Sequence, residues 1–406
     1  MALRRYARSK PRAGQGEGHP RRIFILLRSA WGVGGTIRAS HRLAAHLSQT
    51  YEVEILSVIR RVEKPFFEFP PGVKVTALDD QRPGALPRRL RFLRKLAGSP
   101  SVLVHPADHA ADSCNLWVDV QLVRKLRGQS GFLIGTRPGF NLMAADLSAP
   151  GLITIGQEHM HLNAHSLPLR RAIRRRYSKL AAAVVLTDAD RREYEKFLDR
   201  RVRLVRIPNA AEMGGRKADL DSRTILAAGR LTAQKGFDML IPAFGRVVRT
   251  HPDWRLRICG RGQLRGDLKR LVEEEGLSDV VELPGPRDLA EEMAKASIFV
   301  LSSRFEGFPV ALLEAMSKGM AVVSFDCPTG PADVVDDHRN GILVPPLRID
   351  ALAAGILELI EDVGLRRQVG GAAFETAQSY RMDSIGRKWA ALLVELEQSR
   401  SGGIGG

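Results

Sequence analysis

Residues 298–314 read Ile298-Phe-Val-Leu-Ser-Ser-Arg-Phe-Glu-Gly-Phe-Pro-Val-Ala-Leu-Leu-Glu314, and this stretch decides the fold. Its first residues form a short apolar run without polar alternation, the pattern of a strand buried on both faces. A loop follows with Glu306 at its tip, and Pro309 opens a helix in the first-turn position that proline tolerates. Such a strand–loop–helix unit sets its loop at the carboxyl end of a parallel sheet, where doubly wound folds bind ligands. The backbone around Gly307, Phe308, Pro309 and Val310 then offers N–H groups to an anion. Glu306 precedes the helix and Glu314 lies more than one turn inside it, so the two carboxylates reach different parts of an extended ligand. As pure acceptors they suit sugar and ribose hydroxyls. Without context, the same pair also reads as a helix-start charge and an ordinary helix residue.

The same alternation runs outward in both directions. Towards the C-terminus and back to residue 224, strands are expected at 224–228, 255–259, 280–283, 298–302, 321–325 and 341–344. Helices fit 237–249, 263–275, 288–295, 310–318, 351–361 and 365–379. In the first half, strands are expected at 22–27, 52–58, 73–78, 101–104, 131–135, 151–156 and 182–187, with a helix at 34–50 and others between most of the strands. Strands alternating with helices argue for parallel sheets covered on both faces, an α/β fold. Residues 207–222, polar and without periodicity, read as the linker between two such domains. The expected division is a tail at 1–20, a first domain at 21–206, the linker, a second domain at 223–379, a last helix at 380–398 and a tail at 399–406.

Composition excludes several classes. The apolar runs are far shorter than the roughly 20 residues that span a bilayer, and the basic N-terminus lacks the apolar core of a secretory signal. Three scattered cysteines, Cys114, Cys259 and Cys327, make neither a disulfide framework nor a zinc site. The cytoplasm is the default, with the inner face of a membrane as an option. The net charge of +17 is uneven: residues 1–215 carry 37 Lys and Arg against 18 Asp and Glu, whereas 216–406 carry 25 against 27. The excess concentrates at Arg88–Lys95, Arg170–Lys179 and Arg200–Arg206. A basic face attracts phosphate-bearing partners or anionic lipid, and solvated surface charge is the plain alternative. Nothing resembles a nucleic-acid-binding motif, so no nucleic-acid partner is expected.

Several motifs together resemble the retaining glycosyltransferases of the GT4 family. They are Glu306 and Glu314 with Glu306-Gly-Phe-Pro between them, Gly229-Arg-Leu-Thr-Ala-Gln-Lys-Gly-Phe-Asp-Met-Leu-Ile241, Cys327-Pro-Thr-Gly-Pro-Ala-Asp-Val-Val335 and Asn340-Gly-Ile-Leu-Val344. Trp31-Gly-Val-Gly-Gly-Thr36 and Gln157-Glu-His-Met160 extend the likeness across nearly the whole chain beyond residue 21. The resemblance implies the GT-B architecture, two Rossmann-like domains facing a cleft, with the C-terminal helix crossing back to the first domain. It assigns Arg230 and Lys235 to the diphosphate of a nucleotide-sugar donor, where fixed cations stabilise charge growing on the leaving group. It further assigns Glu314 to the ribose, Glu306 to the donor sugar, and Gly34 and Gly35 to a close backbone approach to sugar and diphosphate. His159 falls beside the reacting carbon, with His161 as the alternative one slip away.

The implied reaction is transfer of a sugar, with retention of configuration, from UDP-hexose or UDP-N-acetylhexosamine to a glycan, lipid-linked or polyol-phosphate acceptor. GDP-mannose as donor, and a nucleotide-sugar epimerase or hydrolase of the same fold, are the alternatives. No residue legibly reads the base; Pro284, Gly285, Pro286 and Arg287 are assigned to it because they follow a strand at the cleft edge. Other motifs are declined. Gly260-Arg-Gly262 has Arg265 where a dinucleotide fingerprint needs its third glycine. Asp188-Ala-Asp190 reads as a helix N-cap with a first-turn acid, and His159-Met-His161 lacks zinc spacing. No cofactor and no catalytic metal are expected.

Overall fold

A computed structural model describes residues 22–85, 96–147 and 151–402. The expected N-terminal tail, the basic cluster Arg88–Lys95 and residues 403–406 lie outside them. Two units make up the chain, one running to Pro208 and resuming at Ile385, the other spanning Asn209–Ser384.

The first unit is built on a seven-stranded sheet of β1 (Arg22–Leu27), β2 (Glu52–Arg60), β3 (Lys74–Asp80), β4 (Gly131–Gly135), β5 (Leu152–Gln157), β6 (Ala182–Val185) and β7 (Leu204–Arg206). They lie in the order β3-β2-β1-β4-β5-β6-β7, every pairing parallel. Helices α1 (Gly35–Leu47), α2 (Leu116–Leu126), α3 (Pro138–Asp146), α4 (Leu167–Arg176) and α5 (Asp188–Phe197) connect them. Ile23–Leu27 and Ala182–Val185 are buried throughout, as strands covered on both faces must be. The strand order reverses between β1 and β4, so the loops after these two strands flank the switch point.

The expected strand at 101–104 does not form. Asp119 instead accepts from the Ser101 hydroxyl at 2.7 Å and from the Val102 amide at 2.7 Å, while Ser101 Oγ takes the Val104 amide at 3.0 Å. Side chains satisfy these donors, so the segment needs no ladder. Conversely, part of the basic stretch 200–206 forms the edge strand β7.

The second unit carries six parallel strands, β8 (Thr224–Ala228), β9 (Arg255–Cys259), β10 (Val281–Gly285), β11 (Ile298–Leu301), β12 (Ala321–Phe325) and β13 (Ile342–Val344), in the order β10-β9-β8-β11-β12-β13. Its helices are α6 (Phe237–Val248), α7 (Arg265–Glu274), α8 (Leu289–Ala294), α9 (Val310–Met316), α10 (Ile349–Glu361) and α11 (Val363–Gln378). The switch point here lies between β8 and β11. Residues 209–222 form no helix or strand but are tied to this unit. Ser317 Oγ donates to the Glu212 carbonyl at 3.0 Å, the Ala218 amide to Lys318 O at 2.9 Å, and Arg366 Nε to Leu220 O at 3.0 Å.

Helix α12 (Met382–Gly402) runs four residues past the expected end, into the stretch assigned to a tail. Ile385, Trp389, Leu392, Leu393 and Leu396 are buried at helical spacing, and from Ile385 on the helix groups with the first unit. Gly386 lies against the His46 ring, where a Cβ would come within 2.0 Å of Nε2.

Candidate functional site

In the second unit, the loops on either side of the switch point are zipped together. The Arg304 amide donates to Gln234 O at 2.8 Å, Gln234 Nε2 to Phe305 O at 3.1 Å, and Ser302 Oγ to Lys235 O at 2.9 Å. Gly236 makes the approach feasible: its φ is 63°, and a Cβ there would stand 2.0 Å from the Ser302 carbonyl oxygen. Arg304 also pairs with Asp238 through two bonds of 2.8 and 2.6 Å, which hold that carboxyl below its usual range.

This frame brings Lys235 and Glu306 together. Lys235 Nζ donates to Glu306 Oε1 at 2.5 Å, and Ser303 Oγ donates to the same oxygen at 2.6 Å. The Glu306 side chain is 7% exposed and that of Lys235 16%. Among the described residues Glu306 Oε2 takes no hydrogen bond and so has acceptor capacity to spare. Gly229 leaves room for the lysine stem, since a Cβ there would lie 3.0 Å from Lys235 Cε. Arg230 stands exposed beside them, bonded to Gln234 Oε1 at 3.3 Å. The arrangement is a buried acceptor next to a half-buried and an exposed cation, suited to an anionic ligand that also carries hydroxyls.

Below Glu306, Thr329 donates its hydroxyl to the Glu306 carbonyl, and Gly330 packs where a Cβ would come within 2.8 Å of Pro309 Cδ. Cys327 is buried in the same place, and burial, then the Glu306 charge, push its thiol up to about 12. At the start of α9 the Val310 amide donates to the Phe308 carbonyl at 2.9 Å, so this N–H is engaged within the turn. Glu314 is buried on α9. Of the residues assigned to a base, Pro284 is half-buried, Gly285 is buried with φ 84°, and Pro286 and Arg287 are exposed beyond the edge strand β10.

In the first unit, Gly34 caps α1 with φ 147°, and a Cβ on Gly34 or Gly35 would meet nothing within 4 Å. That loop is open as well as glycine-dependent. His159 follows β5; burial lowers its imidazole to about 4, and its buried Nε2 has no hydrogen-bond partner among the described residues. Burial also lowers His161. Thr187, not Asp188, caps α5, its hydroxyl accepting from the Asp190 amide at 3.0 Å, while Asp188 pairs with Arg191 and Arg206 at 3.3 Å each.

Sequence reasoning singled out Lys235 and Glu306 separately but missed their bond. It also missed Ser303, Gln234 and the Arg304–Asp238 clamp. Polar residues inside both loops were the available signal.

Residues 210–376 match the family of glycosyl transferases group 1. The chain is 36% identical, over 93% of its length, to an exopolysaccharide phosphotransferase of Streptomyces coelicolor, and it covers 41% of that longer protein. It is 27% identical over 92% of its length to an uncharacterised glycosyltransferase of Haemophilus influenzae, covering 100% of it. Among solved structures, a TarM variant of S. aureus bound to fondaparinux, α-GlcNAc-glycerol and UDP superposes with a TM-score of 0.74 at 16% identity, over 92% of this chain and 99% of that one. The superposition gives the GT-B fold, and residues 210–376, less than half of the chain, are similar to the glycosyl transferases group 1.

Proposed function

We propose that this protein is a retaining glycosyltransferase of GT4 type that moves a hexose or N-acetylhexosamine from a UDP donor to a glycan, lipid-linked or polyol-phosphate acceptor. The Lys235–Glu306 pair at the switch point of the second unit carries this reading. Lys235 and Arg230 neutralise the donor diphosphate, Glu306 accepts from donor-sugar hydroxyls through Oε2, and Glu314 accepts from the ribose. Gly34, Gly35 and His159 are assigned to the transferred sugar, and Pro284–Arg287 to the base. Support comes from the UDP and the α-GlcNAc-glycerol named in the TarM complex.

A neutral His159 fits contact with sugar hydroxyls, because an imidazole lowered to about 4 both donates and accepts at physiological pH. The departing β-phosphate takes the acceptor's hydroxyl proton, so the protein works by positioning and by fixed charge. Neither a cofactor nor a metal enters this scheme. No helix among the described residues is long and apolar enough to cross a membrane. The place of action in this reading is the cytoplasm, with the inner face of a membrane as an option.

Incubation with a panel of nucleotide sugars tests the reading. Slow hydrolysis of one UDP-sugar, releasing the anomer of the donor as seen by proton NMR, is the expected result. Release of the opposite anomer contradicts retention, and inertness towards every nucleotide sugar, with and without glycan or polyol-phosphate acceptors, contradicts the function.

A further inference from the structure

The loop after β5 holds a cluster that the proposed chemistry leaves unused. Glu158 is 2% exposed, and its amide anchors it to the Val184 carbonyl at 2.8 Å. Oε1 accepts from Asn141 Nδ2 at 2.9 Å and from the Tyr177 hydroxyl. Oε2 faces His165 Nε2 at 3.6 Å, and the two side chains are 2% and 9% exposed. That separation is an ion-pair distance beyond hydrogen-bond reach, and among the described residues neither atom has a hydrogen-bond partner. Two buried polar atoms, one able to donate and one to accept, do not stay unpaired side by side without cost.

We propose that His165 donates Nε2–H to Oε2 of Glu158, and that this bond positions the His159 ring by closing the segment 159–165 over the end of β5. The segment is already folded on itself. Ala164 N donates to His161 O at 3.0 Å, His165 N to Leu162 O at 3.2 Å, and Leu162 is buried. His159 is the first residue of this closed loop and His165 the last, so a tie at one end limits rotation at the other. Asn141 and Tyr177 already satisfy Oε1. The carboxylate is therefore held without His165, and what His165 adds is control of the loop. The other titratable groups facing the cluster are Tyr177, Tyr194, Asp190, Arg170 and His161. Glu158 and His165 are positioning residues, and the inference rests on the assignment of His159 to the transferred sugar.

The test uses the full chain labelled with 15N-histidine, as wild type, Glu158→Gln, His165→Ala and His165→Gln. The bond predicts a slowly exchanging, downfield Nε2 proton on His165 that moves in Glu158→Gln. It also predicts that the His159 ring resonance shifts in His165→Ala. In the assay with the donor identified above, His165→Ala should lower kcat about ten-fold with KM for the nucleotide sugar within about two-fold. His165→Gln, whose amide can donate to the same oxygen, should recover most of that loss. A His165 signal that exchanges with solvent and ignores Glu158→Gln overturns the bond. An unchanged kcat and an unmoved His159 resonance in His165→Ala overturn the positioning role. If no nucleotide sugar is turned over, the proposed function falls, and the His165 and His159 resonances still decide the pair.

Discussion

Lys235 Nζ and Glu306 Oε1 stand 2.5 Å apart although 71 residues separate them in the chain. One ends the turn before α6, the other sits in the loop after β11, and both flank the point where the strand order of the second sheet reverses. A lysine engaged by a buried carboxylate is held in one place before any ligand arrives. Under the proposed function, a donor diphosphate would meet a fixed cation rather than a mobile one, the condition under which charge stabilisation is most effective.

Gly236 is the hinge of this arrangement. With φ at 63° and the Ser302 carbonyl 2.0 Å from where a Cβ would be, Gly236→Ala must push the two loops apart. The expected loss is roughly 2 kcal/mol or more of stability, measured by urea unfolding. A rise in KM for the nucleotide sugar should accompany it. An alanine variant with unchanged stability and KM would show that the loops need not touch.

His159 makes stability pH-dependent. Its folded-state imidazole is lowered to about 4 by burial, from an ordinary 6.5. Between these values the unfolded chain binds the extra proton and the folded one does not, so stability falls as pH drops from 6.5 towards 4. The contribution is on the order of 3 kcal/mol across that window. Urea unfolding at pH 7 and pH 5 should show His159→Asn losing less on acidification than wild type. Equal losses would mean that the ring is protonated in the folded state.

Turnover should persist in EDTA, since Arg230 and Lys235 are the cations assigned to the diphosphate. A strict requirement for Mg2+ or Mn2+, measured as activity restored only on adding the metal, would contradict that assignment.

The basic α4 face offers a smaller charged surface than its five arginines imply. Arg176 pairs with the buried Asp146 at 2.9 Å, and Arg170 lies over the Phe197 ring at 5.5 Å. Arg171, Arg174 and Arg175 are exposed. Changing these three to Gln should reduce sedimentation with anionic liposomes at low salt while donor hydrolysis stays intact. Wild-type protein that ignores such liposomes at low salt would show that this face is only solvated.

Much of the fold was legible because parallel strands buried on both faces leave unbroken apolar runs, as in Ile23–Leu27 and Ile298–Leu301. Segment 101–104 looked alike but is held by Asp119, a partner distant in sequence that no local pattern reveals. The edge strand β7 was hidden because it is only three half-buried residues long, with Arg203 before it and Arg206 at its end. Lys235 and Glu306 stood out by type and by family resemblance. Their bond did not, because it depends on Gly236 letting two loops close on each other. Glu158 and His165 were masked by His159 and His161 between them.

The most direct measurement is turnover of the best nucleotide sugar by wild type, Lys235→Ala and Glu306→Gln in one assay, with unfolding followed in parallel. Both substitutions should lower turnover about ten-fold or more. Glu306→Gln should also cost about 1–3 kcal/mol of stability, because a buried charge pair is broken. Wild-type turnover in either folded variant would remove the Lys235–Glu306 pair from the reaction.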